Sequence, residues 1–120
     1  MSIRPYKKED FQIVKSWSPW TLESEIPTMG LIDEDVCALF LFSTDSSISF
    51  LETLVSNPDA DQQAVSFVSI RMAKILKNLA IENGSTNVVS MTKVESVKRG
   101  LERAGFRADS DRWDLMSARR

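Results

Sequence analysis

The pattern of apolar and polar residues predicts a strand and then helices at the start of the chain. "SIRPY" is a short β-type segment, and "KKEDFQIVKSW" follows it with Phe11, Val14 and Trp17 at helical spacing. In the next stretch, "SPWTLESEIP", Ser18 is placed as a helix N-cap and Pro19 stands at the first helical position. We therefore expect a strand, an amphipathic helix and one further short helix.

Three strand-like segments come next. "TMGLI", "CALFLFS" and "ISFLETLV" are separated by "DEDV" and "TDSS", which are typical turn sequences. The middle segment is apolar at nearly every position, as expected for a strand that is covered on both faces. The pattern predicts an antiparallel meander with "CALFLFS" at its centre.

A long helix is expected after the meander, over residues 61–83, with Gly84 as its C-terminal cap. A helix of this length can carry the chain back across the sheet, so the strand after it should lie parallel to a strand of the meander. The apolar stripe of this helix is predicted to comprise Val68, Met72, Ile75, Leu76 and Leu79.

The end of the chain predicts a strand, a helix and a final strand. "NVVSM" is strand-like, and Thr92 with Glu95 forms a T-x-x-E capping box for a helix that Gly105 ends. The residues of this helix predicted to face inward are Val94, Val97, Leu101 and Ala104. "RWDLMSARR" is the last strand, and the residues expected to share one of its faces are Trp113, Leu115 and Ser117.

The predicted fold is of the α/β (α+β) class. It has a mixed, mostly antiparallel sheet of about six strands covered by helices, in the order β-α-(α)-β-β-β-α-β-α-β. A chain of 120 residues with 42% apolar residues suits a single domain over residues 1–120. Its start has no apolar signal core and its longest apolar run, 36–42, is too short to span a membrane, so we expect a cytoplasmic protein.

The composition narrows the chemistry. The sequence contains no histidine and a single cysteine, so the usual ligand sets for zinc, iron or copper are missing and no metal is expected. Proton transfer is left to carboxylates, lysines, Tyr6 and water. Cys37 stands in the middle of an apolar strand, where a buried and inert thiol is expected.

The charge distribution is uneven. Residues 1–92 carry 7 basic and 12 acidic side chains, whereas residues 93–120 carry 8 basic and 5 acidic ones, within a net charge of −2. The basic end could face an anion, but its charges alternate in sign at helical spacing, which favours a solvated helix face. The overall acidity disfavours nucleic-acid binding.

Three local sequences and the order of elements resemble the GNAT acetyltransferase superfamily. "SIRPYKKEDFQIVKSW" is similar to the family's opening strand and first helix, and "SISFLETLVSNP" to its fourth strand and the corner after it. "VKRGLERAGFRAD" is similar to the closing helix with its Gly-Phe ending. The resemblance spans nearly the whole chain and implies acetyl-coenzyme A as the cofactor and a small-molecule or peptide amine as the acceptor.

The family's corner carries an Arg/Gln-x-x-Gly-x-Gly/Ala signature, whose backbone amides hold the pyrophosphate of the cofactor at a helix N-terminus. Asp61 here replaces the Arg or Gln, and Ala64 and Ser66 replace the small residues. Asp59 and Asp61 bring negative charge to a diphosphate site, but acidic residues also cap helix N-termini, so both roles stay open. The cofactor-binding residues that the resemblance implies are Leu54, Val55, Asp61, Gln62, Gln63, Ala64, Val65, Ser66 and Phe67.

The resemblance also implies catalytic positions. Glu52 falls on the fourth strand, where family members often use a carboxylate as the general base, and a structural, solvent-facing Glu is an equal alternative. The position of the tyrosine that protonates the leaving thiolate in many members falls on Leu101, and a neighbouring Asn position falls on Val94. Neither residue can donate a proton.

Two classes of function remain open. The first is an active N-acetyltransferase with Glu52 as its base, in which the acceptor enters between the first helices and the meander. The second is a GNAT fold kept as a structural or interaction module for a protein partner, or as a homo-oligomer. Trp17, Trp20 and Met29 could form its contact surface, although packing over the sheet is the favoured role of these residues. The chain is also similar to short GNAT-like proteins of tailed bacteriophages, which implies a virion-associated protein.

Overall fold

The structure is a computed structural model that describes residues 2–91, 95–108 and 115–119. Three α-helices are present in these ranges, α1 (Phe11–Trp17), α2 (Gln62–Glu82) and α3 (Glu95–Arg103), with 3-10 helices at Lys8–Asp10 and Glu23–Glu25. The strands are β1 (Arg4–Pro5), β2 (Gly30–Asp33), β3 (Cys37–Ser43), β4 (Ile48–Ser56), β5 (Asn87–Met91), β6 (Arg107–Ala108) and β7 (Leu115–Arg119).

The seven strands form one mixed sheet in the order β1-β2-β3-β4-β5-β7-β6. The paired strands are antiparallel except β4 and β5, which run parallel because α2 carries the chain across the sheet between them. The predicted class, a mixed and mostly antiparallel sheet covered by helices, is confirmed. The strand count exceeds the expected number by one, since the two-residue strand β6 is too short to show a pattern in the sequence.

The central strand β3 is covered on both faces, as predicted. On one face, alternate residues of β3 beginning with Cys37 pack against α2 and α3. On the other face, Ala38 and Phe40 pack with Tyr6 and with Val14 of α1. Two hydrophobic cores therefore lie on opposite sides of one sheet, and we name these sides the α2 face and the α1 face.

Gly30 makes room for an aromatic pair on the α1 face. It is the register partner of Phe40, and an added Cβ atom would lie 2.5 Å from Cδ1 of Phe40 and 2.9 Å from the carbonyl oxygen of Leu39. The Tyr6 ring meets the Phe40 ring edge to face, with centroids 4.8 Å apart. The Tyr6 backbone N–H also donates to the Gly30 carbonyl at 2.9 Å, which ties the two strands together at this point.

Helix α2 has the ends that the sequence predicts. Asp61 is its N-cap and Asn83 its C-cap. Gly84 follows with a φ of +103°, the left-handed conformation that glycine adopts without steric cost. The Ser85 N–H then donates to the Ala80 carbonyl at 3.0 Å, which closes the helix end.

Two residues predicted to face inward are exposed. Ile75 is 43% exposed because the buried stripe of α2 runs beside it. Val97 on α3 is 39% exposed, whereas Leu101 and Ala104 near the end of that helix join the α2-face core as predicted. The buried residues of α2 are Val65, Val68, Met72, Ala73, Leu76 and Ala80.

The short helix expected to begin at Ser18 and Pro19 does not form there. The Ser18 N–H donates to the Val14 carbonyl at 3.0 Å, so Ser18 ends α1 and cannot begin a new helix. The chain then turns, and a single 3-10 turn forms at Glu23–Glu25 with Leu22 as its N-cap. The prediction of a short helical element is right, but its position is wrong by one turn.

No helix in the described ranges is long and apolar enough to cross a membrane. Among the same residues, no group of three or more His, Cys, Asp or Glu side chains could hold a metal ion. The predictions made for Thr92, for Val94 and for the shared face of Trp113, Leu115 and Ser117 lie outside what the structure describes.

Candidate functional site

The parallel strands β4 and β5 pair over only part of their length. Their register runs from Ile48↔Asn87 to Phe50↔Val89 and then stops. β4 continues for six further residues, 51–56, while β5 stays paired with β7 through Met91. The two strands therefore part toward their carboxyl ends, which leaves one edge of β4 without a strand partner in the described residues. In open α/β sheets, ligands commonly bind in crevices of this kind.

A β-bulge interrupts β4 within this unpaired stretch. Phe40 of β3 pairs with Glu52 and Leu39 pairs with Leu54, so Thr53 has no partner in the ladder. Thr53 has a φ of +62° and is the one non-glycine residue with a positive φ in the described ranges. A β-branched residue in this conformation is strained, and bulges occur often beside functional sites.

The bulge changes which face each residue of β4 occupies. Leu51 lies in the α2-face core, while Val55, four residues later, lies in the α1-face core. Without the extra residue both would point to the same side of the sheet. Leu54 pairs with Leu39 and so lies on the α2 face, where it is 44% exposed. The bulge thus leaves an apolar side chain accessible on the α2 face of β4.

The N-terminus of α2 follows directly at the carboxyl end of β4. The Asp61 side chain caps it, because Oδ1 accepts the N–H of Gln63 at 3.1 Å. The Val65 N–H donates to the Asp61 carbonyl at 3.0 Å, which is the first bond of the helix. This leaves the N–H groups of Gln62 and Ala64 without intrahelical acceptors. The corner is a helix N-terminus with one of its amides already held by a carboxylate.

The side chains of the corner residues point to different sides of α2. Val65 is buried in the core, while Gln62, Gln63 and Ser66 are exposed. Ala64 and Phe67 line a cavity of about 270 Å³ on the side of the β2–β3 turn. The other lining residues of that cavity are Ser2, Asp33, Asp35, Val36 and Val68.

A second cavity, of about 430 Å³, opens beside the bulge, and we name it the acceptor-side cavity. Its sheet wall is formed by Phe42 and Thr53. Its other wall comes from the segment between α1 and β2. The residues of that wall are Trp20, Thr21, Glu25 and Ile26. The sequence predicted that an acceptor enters between the first helices and the meander, and this cavity lies between the segment after α1 and the meander. That an acceptor enters here stays a prediction.

Glu52 lies on the same side of the sheet as the acceptor-side cavity. Its register partner Phe40 belongs to the α1-face core, and Phe42, two residues along β3, lines the cavity. Glu52 is half-buried and immediately precedes Thr53. The structure thus brings a carboxylate to the bulge on the α1 face.

Three other residues that the sequence brought into question for the chemistry, Leu101, Tyr6 and Cys37, lie in the cores. Leu101 is buried in the α2-face core, as expected of an apolar residue. Tyr6 is buried on the α1 face, where burial and then the charges of Asp10 and Glu23 raise the pKa of its hydroxyl. The Cys37 side chain is buried, as predicted, and burial, with the Asp33 charge second, raises the pKa of its thiol to about 12, which favours an unreactive thiol.

Several solved structures share this fold. The aminoglycoside acetyltransferase AAC(6')-Ib in complex with coenzyme A matches with a TM-score of 0.73 and 11% identity, over 99% of this chain and 94% of that chain. The ribosomal-protein-S18-alanine N-acetyltransferase from Escherichia coli matches with a TM-score of 0.72 and 11% identity, over 98% and 92% of the two chains. A GNAT family acetyltransferase from Brucella melitensis in complex with acetyl-CoA matches with a TM-score of 0.66 and 10% identity, over 98% and 86%.

These matches show that the chain has the GNAT fold, as the sequence predicted. At such low identity they show the fold alone. No protein-family model and no curated protein matches the chain. None of the matches supports the resemblance to bacteriophage proteins or the assembly into a virion or homo-oligomer.

Sequence reasoning missed the bulge and the wall of the acceptor-side cavity. The bulge had no local signal, because only the structure shows that Leu51 and Leu54 share the α2 face at a spacing of three, where a regular strand would space them by two or four. Trp20 was considered as a contact or packing residue and not as part of a cavity wall. The role of Glu25 in the cavity had no local signal, since it depends on how the 18–27 segment folds over the sheet.

Proposed function

We propose that this protein transfers an acetyl group from acetyl-coenzyme A to an amine. The observation that supports this most is the junction at Thr53. On the α2 face, β4 separates from β5 beside the N-terminus of α2. On the α1 face, Thr53 lines the acceptor-side cavity. A donor and an acceptor could therefore meet at one point of β4.

The donor side suits the extended arm of acetyl-coenzyme A. The edge of β4 over residues 51–56 lies beyond its pairing with β5, so backbone groups along it can bind the amides of an extended ligand as a strand would. The exposed Leu54 side chain offers apolar contact on the same stretch. Val55 contributes its backbone, since its side chain is buried on the α1 face.

The N-terminus of α2 would receive the pyrophosphate. Unpaired N–H groups and the positive end of the helix dipole favour an anion there. The amides of Gln62 and Ala64 supply this interaction, because the Gln63 amide is bonded to Asp61. Asp59 and Asp61 oppose it, and no Lys or Arg occurs between Ser56 and Arg71. Acetyl-coenzyme A therefore fits these residues, but we expect its pyrophosphate to bind weakly.

Glu52 would accept the proton that the attacking amine loses, directly or through water. When bound, acetyl-coenzyme A supplies an activated acetyl group, whose carbonyl carbon bonds to the amine nitrogen while the carbon–sulfur bond breaks and sulfur keeps the electron pair. Glu52 lies next to Thr53 on the side of the acceptor-side cavity, where this proton would be released. Positioning at the bulge would supply much of the remaining rate enhancement.

The leaving thiolate would take its proton from solvent. Leu101 occupies the position of the family's tyrosine and is buried, so it provides no acid. A thiol has an ordinary pKa of about 8.5, so a thiolate is a tolerable leaving group near neutral pH. We therefore expect slow turnover that needs no dedicated acid.

Binding at the β4 edge is tested by calorimetric titration of acetyl-coenzyme A into matched variants. Leu54→Asp should raise the Kd by about tenfold, because it replaces an apolar contact with a charge. Ile48→Asp is the matched control, since Ile48 is a similarly exposed apolar residue of β4, at 37%, within the part that pairs with β5. Equal losses in the two variants would argue against this binding site.

Catalysis is tested by the release of coenzyme A thiol in the presence of a panel of primary amines. Glu52→Gln should lower kcat by about 10²–10⁴-fold, as for the loss of a general base, with the affinity for acetyl-coenzyme A unchanged. Glu82→Gln, at the exposed end of α2, is the control and should leave kcat as it is. A fully active Glu52→Gln variant would remove Glu52 from the mechanism, and no turnover with any amine would overturn the proposed activity.

A further inference from the structure

The acceptor-side cavity carries groups that acetyl transfer by itself does not require. The wall opposite Thr53 presents an indole and a carboxylate, from Trp20 and Glu25. We infer that the acceptor carries a second positive charge, as an aliphatic diamine does, and that Trp20 and Glu25 bind this charge. The inference rests on the proposed function, since it concerns the acceptor of the same reaction.

Glu25 is the acidic residue of the cavity lining. Its Oε1 atom accepts the N–H of Leu22 at 3.0 Å, which fixes the side chain at the start of the 3-10 turn. A carboxylate has lone pairs for about four hydrogen bonds, so a positioned Glu25 retains capacity for an ammonium group. Among the residues that the structure describes, those that line this cavity include no basic side chain.

Trp20 is an aromatic side chain that is largely exposed to solvent. It is 81% exposed although it lines the cavity. An indole face is the aromatic surface that binds cations best, and a carboxylate lining the same cavity adds an attractive charge for an ammonium ion.

The space between the two ends suits an aliphatic chain. Ile26 on the segment wall and Phe42 on the sheet wall supply apolar surface in the same cavity. The reacting amine would lie by Thr53 and Glu52, its methylene chain over Ile26 and Phe42, and its distal ammonium group at Glu25.

The charge of the surrounding chain agrees with a cationic acceptor. Residues 1–92 include the described residues that line the cavity and carry 12 acidic against 7 basic side chains. A net negative charge on this part of the chain favours the encounter with a cation over that with an anionic acceptor.

The test compares diaminobutane with butylamine as acceptors in the thiol-release assay at saturating acetyl-coenzyme A. The wild-type protein should prefer the diamine by about tenfold in kcat/KM. Glu25→Gln keeps an oxygen to accept the Leu22 N–H and removes only the charge, so it should bring the kcat/KM values for the two amines together and abolish the preference. Glu23→Gln removes a charge from the same 3-10 turn outside the cavity lining and should retain the preference.

Trp20→Leu keeps apolar bulk without a π face and should reduce the preference about threefold. Equal rates for both amines in the wild type, or a preference that survives in Glu25→Gln, would overturn the inference. If neither amine is acetylated, the proposed acetyl transfer fails. Calorimetric titration of diaminobutane then tests the cation site independently of that activity. Binding that Glu25→Gln weakens and Glu23→Gln does not would support the cation site, and no binding would reject it.

Discussion

The Oδ1 atom of Asp61 lies 3.1 Å from the backbone nitrogen of Gln63, so the first turn of α2 is capped by its own carboxylate. The proposed pyrophosphate site uses the neighbouring N–H groups of Gln62 and Ala64, so the cap and that site share one helix end. Asp61 stabilises α2 in the folded protein, and its negative charge weakens the binding of an anionic ligand.

Replacing Asp61 separates these two effects. Asp61→Asn keeps a capping oxygen and removes the charge, so acetyl-coenzyme A should bind about three- to tenfold more tightly, since unit charges at about 4 Å interact by roughly 1 kcal/mol in water. Asp61→Ala also removes the cap and should lower the free energy of unfolding by about 0.5–2 kcal/mol. Calorimetry and urea unfolding measure the two quantities.

The control for this pair is Asp45→Asn, which removes an exposed charge from the β3–β4 turn. Asp45→Asn should change neither the affinity for acetyl-coenzyme A nor the free energy of unfolding. Unchanged affinity in Asp61→Asn would mean that no phosphate group binds near this helix end.

Thr53 stores backbone strain at the bulge. Its φ of +62° is costly for a β-branched residue, so Thr53→Gly should raise the free energy of unfolding by up to about 1 kcal/mol. Thr28→Gly, at a position without positive φ, should lower it by about 0.4–1 kcal/mol through the entropy of the unfolded chain. Urea unfolding of both variants gives the comparison, and equal losses would show that Thr53 is not strained.

Gly30 is required by the Phe40 ring. Gly30→Ala should destabilise the fold by about 1–3 kcal/mol, because its Cβ would collide with the ring and with a backbone carbonyl. Gly100→Ala is the control, since its Cβ would meet only flexible atoms of Ile70 at 3.2 and 3.4 Å and alanine favours the helix. In thermal unfolding, the Tm of Gly30→Ala should be well below that of Gly100→Ala. The reverse order would contradict the packing of the α1 face.

The Arg4–Asp10 pair predicts a specific dependence of stability on pH. Two hydrogen bonds from Arg4, at 2.7 and 2.8 Å, lower the pKa of Asp10 against the opposing effect of burial, and the Lys7 N–H assists at 2.7 Å. The stabilisation is complete above the ordinary aspartate pKa of about 3.9 and is lost as the pH falls through the lowered value in the folded state.

Asp10→Asn should therefore lower the free energy of unfolding at pH 7 by about 1–3 kcal/mol, and by less at pH 3. Glu9→Gln, an exposed neighbour in the same 3-10 helix, should match the wild type at both pH values. Urea titrations at the two pH values test this, and an Asp10→Asn deficit that stays constant with pH would exclude the ionised pair as its cause.

The Cys37 thiol should be unreactive in the folded protein. With a pKa of about 12, roughly one thiol in 10⁴ is ionised at pH 8, and the side chain is fully buried with its Sγ atom 3.9 Å from Sδ of Met72. Iodoacetamide should label it only after denaturation. An added exposed thiol, Ser46→Cys, should react at once, and equally rapid labelling of Cys37 would mean that β3 opens readily.

Much of the fold could be predicted from local patterns. The limits of α2 were predicted to within a residue, because Asp61 and Gly84 bond to backbone groups a few residues away. The central place of β3 followed from its apolar residues, which need cover on both sides. Ile75 and Val97 were misplaced, since helical spacing shows a stripe but not how far the neighbouring elements extend over it.

The candidate site followed from the sequence only in part. Glu52 and the α2 corner were selected by resemblance, whereas the parting of β4 from β5, the bulge at Thr53 and the cavity with Glu25 came from the structure. The sequence by itself determined the order of the longer elements and the caps of α2, because these depend on contacts within one or two turns of the chain. Only the tertiary structure decided where a ligand can enter, because strand register and the cover of a sheet face are set by pairings between distant residues.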